Sequence, residues 1–281
     1  MTDMSKRRLQ GTWSVKAILK QIAPPIVLDV YRRFRHPPTW AGVYPRIGAV
    51  PAGDPASRVR GWRKSAIDPR VYDRLPAEVV QEYDYLGVLA AVVCRQHAGA
   101  LTVVDFGGGL GVCYVHLLRT LRDCQRLEYH VIDLPWACDE GARLFAGDAR
   151  VRFHPSWPEL PADVDIVHAL SSLQYVEDYP AVLRRLCAVQ AGYLLLADLH
   201  TGDFPTYASA QLNVPGTVFP LWFVNRAELI GLVRDGGYDL VFDSLMPDRK
   251  DQRNFPRHFR LYDGRRRVML FARSRPAPGR T

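Results

Sequence analysis

From residue 101 onward the chain alternates between short apolar runs and segments whose apolar residues recur every three or four positions, the signature of strands joined by crossover helices. The pattern predicts strands at 101–105, 127–133, 151–154, 165–170 and 193–198, with helices at 111–124, 136–146 and 180–189 between them. Asp178 suits the N-cap of the helix at 180–189, with Pro180 in its first turn. Asn225-Arg226-Ala227-Glu228 has the spacing of a capping box, with Asn in the place of Ser or Thr, and predicts a helix that stops at Gly236-Gly237. Strands at 238–243 and 267–272 complete the set. The expected fold is α/β: a Rossmann-like, doubly wound, mostly parallel seven-stranded sheet. Upstream, Val79, Tyr83, Leu86, Ala90 and Val93 keep helical steps across 76–97. Residues 1–75 are rich in Pro, Arg and Trp and weakly periodic, so they are expected to form a helical and looped N-terminal extension that helps cover the site. The main domain is expected over 76–274 and a disordered tail over 275–281.

Composition narrows the class. With 281 residues, 48% of them hydrophobic and 23% charged, the chain has the make-up of a folded globular protein. The most apolar early stretch is broken by Lys20, Gln21, Pro24, Pro25 and Asp29, and neither a membrane span nor a secretory signal is expected. The expected location is therefore the cytoplasm. Cys94, Cys113, Cys124, Cys138 and Cys187 form no CxxC pair, so buried reduced thiols are expected and no metal site.

The net charge of +8 is uneven: residues 1–80 carry 15 Lys/Arg against 6 Asp/Glu, residues 81–200 carry 9 against 15, and residues 201–281 carry 13 against 8. Basic flanks can meet nucleic acid, an anionic membrane or a phosphorylated substrate. Here the arginines neither form one block nor alternate with aromatics, which favours a solvated surface. The oligomeric state stays open, with a homodimer as the candidate.

Candidate chemistry starts where the first strand of the sheet runs into Asp105-Phe106-Gly107-Gly108-Gly109-Leu110-Gly111. A glycine-rich turn before a helix lets backbone N–H groups approach a ligand beside the positive end of the helix dipole. The dinucleotide fingerprint G-x-G-x-x-G/A, begun at Gly107, needs a small residue where Val112 stands. Asp105 would also face a diphosphate unfavourably, yet suits a ligand carrying ammonium and sulfonium charges. Asp133, 28 residues further on at the end of the next strand, can accept both hydroxyls of a ribose.

The loop resembles the first motif of class I S-adenosylmethionine-dependent methyltransferases, an acidic residue followed by x-G-x-G-x-G, matched at Asp105, Gly107, Gly109 and Gly111. The resemblance implies S-adenosyl-L-methionine as cofactor and S-adenosyl-L-homocysteine as product. Asp105 would lie near the methionine amino group, Gly107, Gly108, Gly109 and Gly111 would hold the methionine and ribose portions, and Asp133 with Leu134 would meet the ribose. Adenine contacts would fall to Ser156 and Trp157 after the third strand and to Ser171 after the fourth. Ala23-Pro24-Pro25-Ile26, Trp40-Ala41-Gly42-Val43-Tyr44, Ser172-Leu173-Gln174-Tyr175 and Trp222-Phe223-Val224-Asn225-Arg226 resemble a bacterial methyltransferase family often found near surface-polysaccharide genes.

Methyl transfer is an in-line displacement in which alignment supplies much of the acceleration, and a hydroxyl acceptor needs somewhere to send its proton. Gln174, Tyr175, Trp222 and Asn225 are the candidate acceptor-binding residues, and His200, just after the fifth strand, is the candidate general base. The D/N-P-P-Y/F motif of enzymes that methylate amino groups of nucleic acids is missing after the fourth strand, which argues against a nucleic-acid substrate. The expected function is methylation of a small-molecule acceptor, on oxygen before nitrogen, on a sugar or a natural-product intermediate. The readings from other classes are a non-catalytic cofactor-binding scaffold and a nicotinamide-dependent oxidoreductase.

Overall fold

A computed structural model describes residues 38–74, 84–121 and 124–274, nearly all within a compact unit spanning residues 39–281. The motif Ala23-Pro24-Pro25-Ile26, most of the N-terminal extension, the start of the helix expected at 76–97 and the C-terminal tail lie outside the described residues.

The elements follow in the order β1 (Trp40–Tyr44), α1 (Pro55–Ser65), α2 (Asp84–Gln96), β2 (Ala100–Phe106), α3 (Val112–Thr120), β3 (Arg126–Ile132), α4 (Pro135–Leu144), β4 (Val151–His154), β5 (Ile166–Leu170), α5 (Tyr179–Ala188), β6 (Tyr193–Leu199), β7 (Thr201–Gly202), β8 (Tyr207–Gln211), β9 (Phe219–Asn225), α6 (Arg226–Asp235), β10 (Tyr238–Leu245) and β11 (Arg267–Arg273). Seven strands form one sheet in the order β10-β11-β6-β5-β2-β3-β4. The five from β4 to β6 run parallel, while β11 pairs antiparallel with both β6 and β10. The chain runs outward from β2 through β3 to β4 and then returns to β5 on the other side of β2. That reversal opens a crevice beyond the carboxyl ends of β2 and β5.

Alternation along each central strand builds two cores. Val104, Ile132, Val167, Leu194 and Leu196 face one side, where Leu183 and Leu186 of α5 and Leu229 and Val233 of α6 cover them. Val103, Val131, Ile166 and Leu195 face the other, under Leu86, Ala90 and Val93 of α2 and Cys113 and Leu117 of α3. A strand covered on both faces needs apolar residues at nearly every position, which is why these segments read as continuous hydrophobic runs. Asp178 caps α5 by accepting from the N–H of Ala181 (2.9 Å). The capping box of α6 is relayed: Asn225 Oδ1 accepts from the Glu228 N–H (3.0 Å), while the Asn225 N–H reaches Thr206 Oγ1, whose hydroxyl donates to Glu228.

A second sheet, unforeseen in the pattern, has the order β1-β8-β9-β7. Its first strand comes from the segment expected to hold only helices and loops, and β8 and β9 fill the stretch between the fifth strand and α6. Their residues are apolar in close succession, so neither period announces a half-buried strand; only pairing across more than 160 residues, Trp40 with Gln211 and Ala41 with Ala210, defines the element. Among the described residues no helix is long and apolar enough to cross a membrane.

Packing of α4 on the sheet edge is close enough to require Gly141, because a Cβ there would overlap the Phe153 ring of β4. Gly141→Ala is expected to lower stability by about 1–2 kcal/mol, overpacking outweighing the gain in helix propensity, seen as a reduced urea midpoint with an unchanged m-value.

Candidate functional site

Beneath the glycine loop, Asp105 at the end of β2 is fully buried. Its Oδ2 accepts the hydroxyl of Tyr129 from β3 (2.7 Å), and its Oδ1 lies 3.1 Å from Nδ1 of His168 in β5. Burial, reinforced by the charge of Asp105, pushes the Tyr129 phenol well above its ordinary pKa and keeps it a donor. The same two causes hold the Cys113 thiol protonated. Asp105, Cys113 and His168 could bring ligand atoms within 4.8 Å of one another, but a thiol held protonated and a carboxylate already bonded on both oxygens are poorly set to receive a cation.

The loop is tied to the end of β3 and closed by one internal bond. Gly107 N–H donates to Ile132 O (2.8 Å), Gly111 N–H to Gly108 O (3.1 Å) and Gly109 N–H to Asp133 Oδ2 (2.7 Å). Its glycines serve different ends. Gly107 has φ of +72° and lies against Ser172, whose hydroxyl donates to Phe106 O (2.7 Å). Gly108 leaves room for the Asp105 carboxylate, whereas a Cβ on Gly109 would meet open space. Gly111, with φ of +88°, packs on Phe145 and Phe153 and does not line the crevice, so its expected ligand contact is replaced by a role in turning the chain into α3. Asp133 accepts a second bond from the Leu134 N–H (2.6 Å); burial nevertheless raises its carboxyl pKa above the ordinary range.

Above the loop opens a cavity of about 810 Å³. Asp105, Gly107, Gly108, Gly109, Asp133, Leu134, Ser156, Trp157, Ser171 and Tyr175 line it. Trp157 is held between Phe106 (ring centroids 6.2 Å apart, 18° between planes) and the Arg185 guanidinium, 4.6 Å from its centroid. For Asp105 the expected ligand contact is qualified, since both of its oxygens already bond to neighbouring strands.

Four residues expected on the acceptor side do not line the cavity. Asn225 is committed to the α6 cap and, through Nδ2, to Phe204 O (2.8 Å). Trp222 donates from Nε1 to the carbonyls of Val176 and Glu177 (3.0 and 3.2 Å). Gln174 lies behind the wall, donating to Ser171 Oγ and Asp198 O. His200 is buried edge-on against Trp40 at 4.8 Å and beside Phe223 at 5.0 Å, and among the described residues neither ring nitrogen has a hydrogen-bond partner. Burial, with Arg266 and Lys250 adding positive potential, drives its pKa well below the ordinary value. The structure places His200 among aromatic rings outside the crevice lining, which is not the position of a general base for a substrate bound there.

The missed lining includes Arg58, Trp62 and Ser65 of α1, Trp136, Asp198 and Met246. Asp198 stood two residues before His200. In a regular strand both would share a face, but Asp198 has a left-handed φ of +59°, which breaks the alternation.

Over residues 64–242 the chain matches a family described as a methyltransferase domain. It belongs to that family. No curated protein matches this methyltransferase. Solved structures similar to it include the 1,6-didemethyltoxoflavin-N1-methyltransferase of Burkholderia thailandensis, with 19% identity, 80% of this chain and 92% of that one covered, and a TM-score of 0.47. The magnesium protoporphyrin IX methyltransferase of Synechocystis has 18% identity over 80% of this chain and 99% of its own, with a TM-score of 0.45. An amino pentose methyltransferase of Micromonospora echinaspora has 12% identity over 73% and 95%, with a TM-score of 0.45.

A buried imidazole with two unbonded nitrogens is a cost that a phenyl ring of similar shape avoids, and a void of about 10 Å³ beside His200 leaves space for it. His200→Phe is expected to leave the methyltransferase as stable as the parent or more stable by about 1 kcal/mol, measured by urea denaturation.

Proposed function

We propose that this methyltransferase transfers the methyl group of S-adenosyl-L-methionine to a hydroxyl of a small molecule bound in the 810 Å³ cavity, releasing S-adenosyl-L-homocysteine. The observation that carries the cofactor reading is the closure of the glycine loop on itself and on Asp133. A diphosphate needs a cradle of outward N–H donors, and three of these are already spent internally. Two carboxylates, Asp105 and Asp133, line the same region, which suits a cationic ligand with ribose hydroxyls and disfavours a nicotinamide dinucleotide. Leu134 and Trp157 supply flat apolar surface for an adenine.

With cofactor and acceptor side by side, the chemistry asks little of the protein beyond alignment and exclusion of water. Helix α1 serves both: Trp62 packs on Tyr175 (4.7 Å) from one wall, and Arg63 lies over Trp136 (5.6 Å) of the other. A carboxylate on the acceptor side, Asp198, favours an acceptor that donates a hydrogen bond, in keeping with oxygen as the methylated atom. In this reading the described part of the N-terminal extension covers the acceptor.

Isothermal titration tests the cofactor. S-adenosylhomocysteine is expected to bind the parent, and Asp133→Ala to weaken it on the order of 10- to 100-fold through lost charged hydrogen bonds. Binding needs the ionised carboxylate, so affinity is full above the Asp133 pKa and declines below it. Because that pKa is raised, the decline on going from about pH 7.5 to about pH 4.5 begins at a higher pH than for an ordinary carboxylate, and Asp133→Asn abolishes it. Equal affinity for parent and Asp133→Ala would reject the reading.

A further inference from the structure

Besides the glycine loop, the cavity is lined by Val59, Trp62, Ile67, Tyr175, Val176 and Met246, with Arg58 and Ser65 of α1 as polar members. The Trp62 ring is held in place by two others: edge-on to Tyr175 (82° between planes) and tilted against Phe219 at 4.2 Å. Against Trp62, Tyr175 and the aliphatic side chains beside them, a polyhydroxylated ligand would leave hydroxyls without partners, at a cost for each. A flat apolar ring has the opposite preference, since it gains contact area and ring–ring geometry at Trp62 and Tyr175.

One acidic side chain enters this surface. Asp198 lies near the carboxyl end of β6, is 7% exposed, and keeps a left-handed backbone that a non-glycine residue adopts only at a cost. Its neighbours stabilise that geometry. Arg266 Nη1 pairs with Oδ1 at 2.5 Å and is itself held by Asp248 at 2.6 Å, and Gln174 Nε2 donates to the Asp198 carbonyl at 3.4 Å. Asp198 and Tyr175 line the same cavity, and burial first, with the charge of Asp198 second, raises the Tyr175 phenol above its ordinary pKa. A carboxylate offers about four acceptor sites, so one that lines the cavity can accept from a ligand hydroxyl while it keeps its ion pair with Arg266.

We propose that this wall binds a hydroxylated aromatic ring, a phenol stacked at Trp62 and Tyr175 with its O–H donated to Asp198, and that Asp198 is a specificity-determining residue for the acceptor. The proposal rests on the methyltransferase reading above and names its acceptor class. In the transfer, the phenol oxygen–methyl bond forms as the sulfonium–methyl bond breaks, the sulfur keeps the bonding pair, and the phenol proton leaves along its hydrogen bond to Asp198.

The test uses the full chain saturated with S-adenosylhomocysteine and two probes of nearly equal shape, 4-fluorophenol and 4-fluorotoluene, followed by ¹⁹F NMR titration. The parent is expected to bind 4-fluorophenol on the order of 10-fold more tightly than 4-fluorotoluene. Asp198→Gly, which relieves the left-handed strain as it removes the carboxylate, is expected to erase that difference while S-adenosylhomocysteine affinity stays within about 2-fold. Asp198→Asn, which keeps the side-chain size and tolerates the backbone, provides the same readout if the glycine variant folds poorly. Trp62→Ala is expected to weaken both probes. Equal binding of the two probes by the parent, an unchanged preference in both Asp198 variants, or displacement of 4-fluorophenol by methyl α-D-glucoside would overturn the proposal. Failure of the parent to bind S-adenosylhomocysteine would instead overturn the cofactor reading, so the two failures are separate.

Discussion

Everything in the crevice depends on one buried carboxylate. Asp105 is bonded from both sides, by Tyr129 on β3 and His168 on β5, at the place where the chain's direction across the sheet reverses. A buried carboxylate without partners is costly, and each donor it finds both offsets that cost and braces a neighbouring strand. The three strands whose ends form the crevice floor are thereby locked in register, and Gly108 can pass over the carboxylate only because it has no side chain.

That brace sets the electrostatics of the ligand region. With Asp105 below and Asp133 at the adjacent strand end, the floor carries negative charge, and Gly109 spends its N–H on Asp133. A glycine loop is often an anion cradle because its N–H groups point outward at a helix N-terminus. Here the loop keeps its sequence pattern while its donors turn inward, and the preference of the site moves from phosphate toward a cation and a diol.

The opposite side of the crevice is made by elements distant in sequence. Helix α1 brings Trp62 to Tyr175 and Phe219, and the connection between β10 and β11 brings Arg266 to Asp198. The second sheet, with its aromatic core of Trp40, Phe204, Tyr207, Phe223 and Phe255, is a scaffold beside the crevice. It takes in His200 as one more ring among aromatics, and the same packing that removes that residue from chemistry explains the shift of its pKa.

Local rules made the sheet and the glycine loop legible. Strand and helix periods, the Asp178 and Asn225 caps and the spacing of Asp105, the glycines and Asp133 all act within one β-α-β unit or one helical turn, so neighbouring residues carry the information. The rest of the cavity lining had no such local code. His200, Trp222 and Asn225 have chemistry that fits a site, yet each was claimed by packing or capping partners as far as 160 residues away in the chain. Asp198, by contrast, reaches the cavity through a single left-handed residue that no period encodes. The sequence by itself determined the class of fold and the meeting of Asp105, the glycine loop and Asp133 at adjacent strand ends, because those rest on short-range patterns. Which side chains line the rest of the cavity was decided only when α1, the second sheet and Arg266 closed around the strand ends, since a side chain's role there depends on what it touches across the fold.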